Sequence, residues 1–319
     1  MQRQIKLQVT PEVVVAGSLN LDYIAGVERL PRAGETVVAD SLLVRFGGKG
    51  ANQAMAAARQ GAGVAMLGCV GADSFGRAYL ERLQTEHINT AGICCTKKAL
   101  TGTALIAVDQ HAENTIIVAP GANSQLSPSQ VRLHKQLVTN ARVVLLQFEI
   151  PMASVVQALR IANRNQVPVV LNPSPYREDF RWGSCLIDTL IVNSGEALAI
   201  FKQAVEALPN RLASWRRAIA RRNIQHLVIT RGPKPTLWLS ANNYVEVPTI
   251  KVKPVDTVGA GDAFAGAFAA RRAKGADLVE AIRHANCAGA LATLKPGAQE
   301  SIPTLLATQR SLREAAASA

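Results

Sequence analysis

At 319 residues, 48% apolar and 18% charged, the chain has the composition of a core-forming globular protein and is too apolar to stay disordered. Its net charge is +12, yet the basic residues are dispersed into doublets (Arg216-Arg217, Arg221-Arg222, Arg271-Arg272) at helical spacing and aromatics are few, which argues against nucleic acid as a partner. No run approaches the roughly 18 apolar residues of a membrane span, and Met1–Thr10 lacks the apolar stretch of a signal peptide.

In chain order, short β-branched runs alternate with helical patterns. The first strand, expected at Val13–Gly17, runs into Gly17-Ser18-Leu19-Asn20-Leu21-Asp22. This is not the G-x-G-x-x-G of a dinucleotide fold. Asn20 and Asp22 stand where they could hydrogen-bond a polyhydroxylated ligand, or bond locally within a turn. Residues Asp22–Val44 read as extended without a helical companion. Then comes Gly47-Gly48-Lys49-Gly50-Ala51-Asn52-Gln53-Ala54, opening a helix at Gly50–Arg59. Its spacing does not fit a Walker-type phosphate loop. Two adjacent glycines permit close backbone approach to a ligand or act as a plain hinge.

A strand at Val64–Val70 and a helix at Ser74–Thr85 follow, and then a second extended stretch, Cys94–Val118, with period-2 alternation from Thr103 to Val108. The two extended stretches suggest a small lid, inserted at about residues 22–44 and 94–118 of one domain spanning 1–319. Ser127-Pro128-Ser129-Gln130 opens a helix with a capping pattern. The strand Val143–Phe148 ends at Glu149, a carboxylate where α/β sheets gather ligands. The helix Pro151–Asn165 and strands at Val167–Leu171 and Leu186–Val192 continue the alternation. Asn193-Ser194-Gly195-Glu196 is either a helix cap with Glu at its third position or a functional pair. After the helix Leu212–Arg222 and the strand His226–Thr230, the segment Asp256-Thr257-Val258-Gly259-Ala260-Gly261-Asp262 starts a helix. Small residues there leave amide N–H groups for an anion, and Asp262 beside them suits proton removal from a hydroxyl during phosphoryl transfer; the other use of such residues is tight helix packing, with Asp262 only offsetting the helix dipole. The fold class is α/β, a mostly parallel sheet covered by helices on both faces. The five cysteines are odd in number and show no C-x-x-C pair, as expected of reduced thiols in a cytoplasmic protein.

Taken together, Asn20-x-Asp22, Gly47-Gly48-Lys49-Gly50-Ala51-Asn52-Gln53, Leu171-Asn172-Pro173-Ser174-Pro175, Asn193-x-x-Glu196 and Asp256–Asp262 resemble, in order and spacing, the ribokinase family of sugar kinases over Val13 to about Pro303. The resemblance implies a Rossmann-like body with a β-lid that often makes a homodimer contact. It also implies ATP-dependent phosphorylation of D-ribose at its 5-hydroxyl. A sibling kinase acting on deoxyribose, fructose or a nucleoside, or a non-catalytic sugar-binding regulator, is the alternative. By resemblance, Asn20, Asp22, Gly48, Lys49, Asn52, Glu149 and Asp262 meet the sugar, with Asp262 as catalytic base. Gly259, Ala260 and Gly261 form the anion hole, and Asn193, Glu196, Thr230, Arg231, Gly232, Gly261 and Asn286 meet ATP, which carries Mg2+. Asp256, Val258, Ala292, Lys295, Gly297 and Ser301 correspond to a potassium site. The sequence departs from the family at Arg231-Gly232-Pro233-Lys234-Pro235, where a glycine-richer turn is usual, and at Ser194-Gly195, where the family carries bulkier, more acidic residues.

Overall fold

Two faces of one sheet account for nearly all of the buried apolar surface. The computed structural model describes residues 10–111 and 113–317, so the segment read for a signal peptide lies outside the described residues apart from Thr10. The strands are β1 (Val13–Ala16), β2 (Asn20–Gly26), β3 (Ser41–Gly47), β4 (Val64–Gly71), β5 (Asn89–Thr96), β6 (Gly102–Val108), β7 (Asn114–Ala119), β8 (Val143–Leu146), β9 (Val169–Leu171), β10 (Ile187–Asn193), β11 (Ile224–Arg231), β12 (Lys234–Ser240) and β13 (Tyr244–Val247). Nine of them form one sheet in the order β13-β12-β11-β10-β9-β8-β1-β4-β5. It is parallel from β5 to β11, with β12 and β13 antiparallel at one edge.

The central strands are continuous apolar runs because both of their faces are covered. β1, β4 and β8 are buried at every position. Alternation divides them between two cores: Val14, Ala16, Val144 and Leu146 face the helices Met152–Arg164 and Leu212–Arg221, while Val13, Val15, Val143 and Leu145 face Lys49–Arg59, Ala260–Ala273 and Leu278–Ala292. Strand order reverses between β1 and β8. In open α/β sheets, ligands bind outside the carboxyl ends of the strands at such a reversal.

Four strands make a separate sheet, β3-β2-β6-β7, standing off the body. Of the stretch expected there, Cys94–Thr96 instead ends β5, paired with Cys69–Gly71 at the edge of the main sheet. The polar composition of β5, half-exposed at an edge, conceals it from an apolar-run reading. The hairpin of β12 and β13, absent from the sequence reading, closes the other end of the sheet, with β13 as the edge strand and Pro235 at the second position of β12. Among the described residues, no helix is long and apolar enough to cross a membrane.

The helices Lys49–Arg59 and Ala260–Ala273 lie against each other through small residues. At Gly266 a Cβ would overlap the carbonyl oxygen of Gln53 and come to 2.5 Å from the Cβ of Ala56, so only glycine fits. Gly266→Ala is expected to lower the free energy of unfolding in urea by about 2 kcal/mol, overpacking outweighing the gain in helix propensity.

Candidate active site

The carboxyl ends of β1, β8 and β9 converge with the amino ends of the helices Lys49–Arg59 and Ala260–Ala273. Asp262 occupies the first turn of the latter helix and is buried. Its Oδ2 accepts from Asn52 Nδ2 at 3.0 Å and its Oδ1 from Gln53 Nε2 at 2.9 Å. Two amide donors therefore address the two oxygens, which suits an ionised carboxylate. Gln53 is itself held: Gln147 Nε2 donates to its Oε1 at 2.6 Å, and its Nε2 also reaches Asn172 Oδ1 at 3.0 Å. Asn172 Nδ2 in turn donates to the carbonyl of Ile191 in β10. Gln53 and Asn172 stand in segments quoted for the family resemblance, and Gln147 precedes Glu149 by two residues. No spacing rule marks the three as partners, because their contacts span the whole fold.

Glu149 closes the loop after β8. Its Oε2 accepts from the Ser18 hydroxyl and from the Lys49 backbone N–H at 3.0 Å, and Ser18 Oγ accepts from Gly50 N. The turn after β1, the glycine segment and Glu149 thus form one unit. Gly48 takes φ 86°, a left-handed conformation that favours glycine, and backbone atoms of Ser18 to Asn20 close off the space a Cβ would need. The Lys49 ammonium lies in the field of Asp262, then Glu149 and Glu196, which raises its pKa against the opposing effect of burial and keeps it charged.

Asn20 and Asp22 both belong to β2. Asn20 Oδ1 accepts from Asn123 Nδ2 at 2.7 Å, and Asn123 also bonds both the N–H and the carbonyl of Leu19. The Asp22 carboxyl rests against Gly47. Burial first, then the carboxylates Glu149, Asp262 and Glu300, push its pKa up to about 7.

The helix Ala260–Ala273 begins after Gly259 at φ 77°, and Gly261 faces open space. The first-turn amides of such a helix have no intrahelical partner, and its dipole favours an anion there. On the other side of the sheet's carboxyl edge, Asn193 and Glu196 form a complete capping box: Asn193 Oδ1 accepts from Glu196 N and Glu196 Oε2 from Asn193 N. Thr230 Oγ1 donates to the carbonyl of Val192, and Gly232 at φ 59° turns the hairpin between β11 and β12. Arg231 is spent on the Pro235 carbonyl and on Glu246, at 2.7 and 3.1 Å. The Asn286 amide is also fully engaged, accepting from Thr236 Oγ1 and donating to the carbonyls of Val247 and Pro248. It fastens the β12–β13 edge to the helix Leu278–Ala292.

The segments of the expected cation site meet. Asp256 Oδ1 accepts from Val258 N and Oδ2 from Gly297 N, both at 2.9 Å, while Asp256 N donates to the Thr293 carbonyl. Ser301 Oγ donates to the Ala298 carbonyl. Carboxylate, hydroxyl and main-chain carbonyls are hard oxygen donors, the type that suits a potassium ion. Among the described residues no group of three or more His, Cys, Asp or Glu side chains could hold a metal ion.

The pattern of the family described as "pfkB family carbohydrate kinase" matches residues 10–305. The chain is 35% identical to ribokinase of Haemophilus influenzae over 304 residues, covering 95% of this chain and 99% of that one. It is 37% identical to ribokinase of Staphylococcus aureus over 301 residues, covering 93% and 98% respectively. The solved structure of Arabidopsis thaliana ribokinase complexed with ribose and ATP superposes with a TM-score of 0.85 at 27% identity, covering 96% of this chain and 99% of that one.

Because Asp22 binds its proton more tightly in the folded protein than in the unfolded chain, its contribution to stability declines as pH rises from about 4 through about 7. Asp22→Asn removes that loss. The stability of the variant relative to the parent is expected to rise by about 1–3 kcal/mol between pH 4 and pH 8 in chemical denaturation.

Proposed function

The chain belongs to the pfkB family of carbohydrate kinases, and from that premise we propose that it is a ribokinase, transferring the γ-phosphoryl group of ATP to the 5-hydroxyl of D-ribose. The observation that carries the chemistry is Asp262, buried, addressed by two amide donors and set at a helix amino terminus. Asp262 takes the proton of the primary hydroxyl. The hydroxyl oxygen forms its bond to the γ-phosphorus in line as the bond to the β,γ-bridging oxygen breaks, and ADP leaves with that electron pair. Backbone N–H groups of Gly259, Ala260 and Gly261 receive the charge developing on the transferring group. Lys49, held cationic by the surrounding carboxylates, adds positive charge on the same side.

Asn20, Asp22, Gly48, Asn52 and Glu149 line the sugar side of this centre. Asn193 and Glu196 would support the phosphates and the waters of the Mg2+ that accompanies ATP, and Thr230, Arg231, Gly232 and Asn286 would shape the nucleotide side. Asn286 acts there through the β12–β13 edge it anchors, since its amide is already engaged. Asp256, Val258, Ala292, Lys295, Gly297 and Ser301 would hold K+, whose charge steadies the loop next to the anion hole. The oxygen character of these donors supports that reading. Unpaired cysteines fit a reducing cytoplasm.

The second sheet serves as the lid over the sugar, excluding water from the γ-phosphate. Its face opposite Asp22 exposes Leu42, Val44, Leu105 and Ile117, which the strand register places side by side. A contiguous apolar surface of this kind supports its role as the contact of a homodimer.

With ATP, Mg2+ and K+, the enzyme should phosphorylate D-ribose in preference to deoxyribose, fructose or a nucleoside in a parallel panel, and lose rate when K+ is replaced by a large organic cation. No phosphorylation of ribose sinks the proposal. Asp262→Asn should lower kcat by about 10²–10⁴-fold with ribose binding retained in calorimetry, and undiminished turnover would remove Asp262 from the role of base.

A further inference from the structure

Gln299 lies in the loop that carries the expected cation ligands and is fully buried. Its Nε2 donates to Asn52 Oδ1 at 3.1 Å and to the Tyr79 hydroxyl at 2.8 Å, and its Oε1 accepts from Arg82 Nε at 3.2 Å. The Arg59 guanidinium holds its main-chain carbonyl at 2.7 Å. The Tyr79 hydroxyl then donates to the carbonyl of Gly47, at the end of β3. Arg82 is also seated over the Phe46 ring, 5.5 Å from its centroid.

The two ends of a side-chain amide have the same shape and differ only in donating or accepting, so an amide in a buried chain is turned by its neighbours. A guanidinium only donates. The end of Gln299 that meets Arg82 must therefore be its oxygen, and its NH2 must point inward. Asn52 is then obliged to turn its oxygen to Gln299 and its NH2 to Asp262 Oδ2. Tyr79 accepts from Gln299, so its own proton goes to Gly47. Were Gln299 reversed, Asn52 would present an oxygen to a carboxylate oxygen, two acceptors facing each other at a contact that is now 3.0 Å.

We propose that Arg82 and Gln299 are positioning residues for the phosphoryl transfer: the donor-only guanidinium sets the direction of a buried chain, Arg82 to Gln299 to Asn52 to Asp262, that keeps an N–H aimed at the base. The branch through Tyr79 pins the junction of lid and glycine segment by the same device. The inference rests on Asp262 acting as base. Neither residue touches Asp262 itself, and the charged groups that do face it are Lys49, at the start of the helix carrying Asn52, and Asp22 from β2.

The test compares the parent with Gln299→Leu, Arg82→Glu and Arg82→Lys. Leucine removes the link, glutamate accepts where arginine donates, and lysine keeps a donor-only group. Gln299→Leu and Arg82→Glu should lower kcat by about 10–100-fold, as loss of partners that orient reacting groups does elsewhere, with KM for ribose changing less than kcat. In both, the acidic limb of the kcat profile and the NMR titration of the Asp262 carboxyl, assigned with Asp262→Asn, should move to higher pH. Arg82→Lys should restore the parent's profile. The proposal is overturned if both titrations coincide with the parent's in Arg82→Glu, whatever happens to melting temperature. Arg82 is half-exposed, so its variants carry the test should Gln299→Leu fail to fold. Failure of the parent to phosphorylate ribose would instead overturn the proposed function, and the NMR titration would still decide the positioning role.

Discussion

An ionised carboxylate withdrawn from water has to be met by donors, and the arrangement around Asp262 follows from that requirement. Left unpaired, such a charge costs several kcal/mol. A hydrogen bond to a charged group returns about 1.5–3 kcal/mol, and Asp262 has one on each oxygen. Both donors come from the helix Lys49–Arg59, so that helix has to lie hard against Ala260–Ala273. The contact is built from residues without bulk, Gly266 lying directly against Ala56 and Ala57. Core packing and the hydrogen bonding of Asp262 are therefore two results of the same helix crossing.

The sequence made the body of the sheet legible because a parallel strand buried on both faces must be apolar throughout, as β1, β4 and β8 are. Edges carry no such demand: β5, reading Asn-Thr-Ala-Gly-Ile-Cys-Cys-Thr, and the β12–β13 hairpin are structurally definite and compositionally mute. Asp262, Glu149, Asn20 and Asp22 could be picked out because short polar residues stand at strand ends and helix starts. Gln53, Gln147, Asn172, Tyr79 and Gln299 could not, since a buried amide network has no period and joins positions up to 247 residues apart. The pair Asn193 and Glu196 showed two possible uses in the sequence, and the free protein displays the cap.

The charge of +12 also acquires a structural meaning. Several arginines donate to main-chain carbonyls: Arg59 to Gln299 and Ile302, Arg142 to Ala273, Arg222 to Ala218 and Ile200, Arg272 to Ala276. Chain ends of helices and irregular loops expose carbonyls that need donors. Part of the basic excess thus fastens the chain to itself, and the remainder gives the surface a potential that attracts anions.

β2 begins with Asn20, carries Asp22 as its third residue and continues into the lid sheet, while β3 returns from that sheet directly into Gly47, Gly48 and Lys49. The Asn123 amide grips Leu19 by both its N–H and its carbonyl just before β2 starts. The second sheet is therefore joined to the body beside Leu19 at one strand and through the glycine segment at the next. On the proposed reading, in which Asn20 and Asp22 meet the sugar, a shift of that sheet would carry both side chains with it, so recognition of a sugar and closure over it would share a single mechanical coordinate. A sugar whose hydroxyls failed to engage both side chains would then forfeit closure along with affinity.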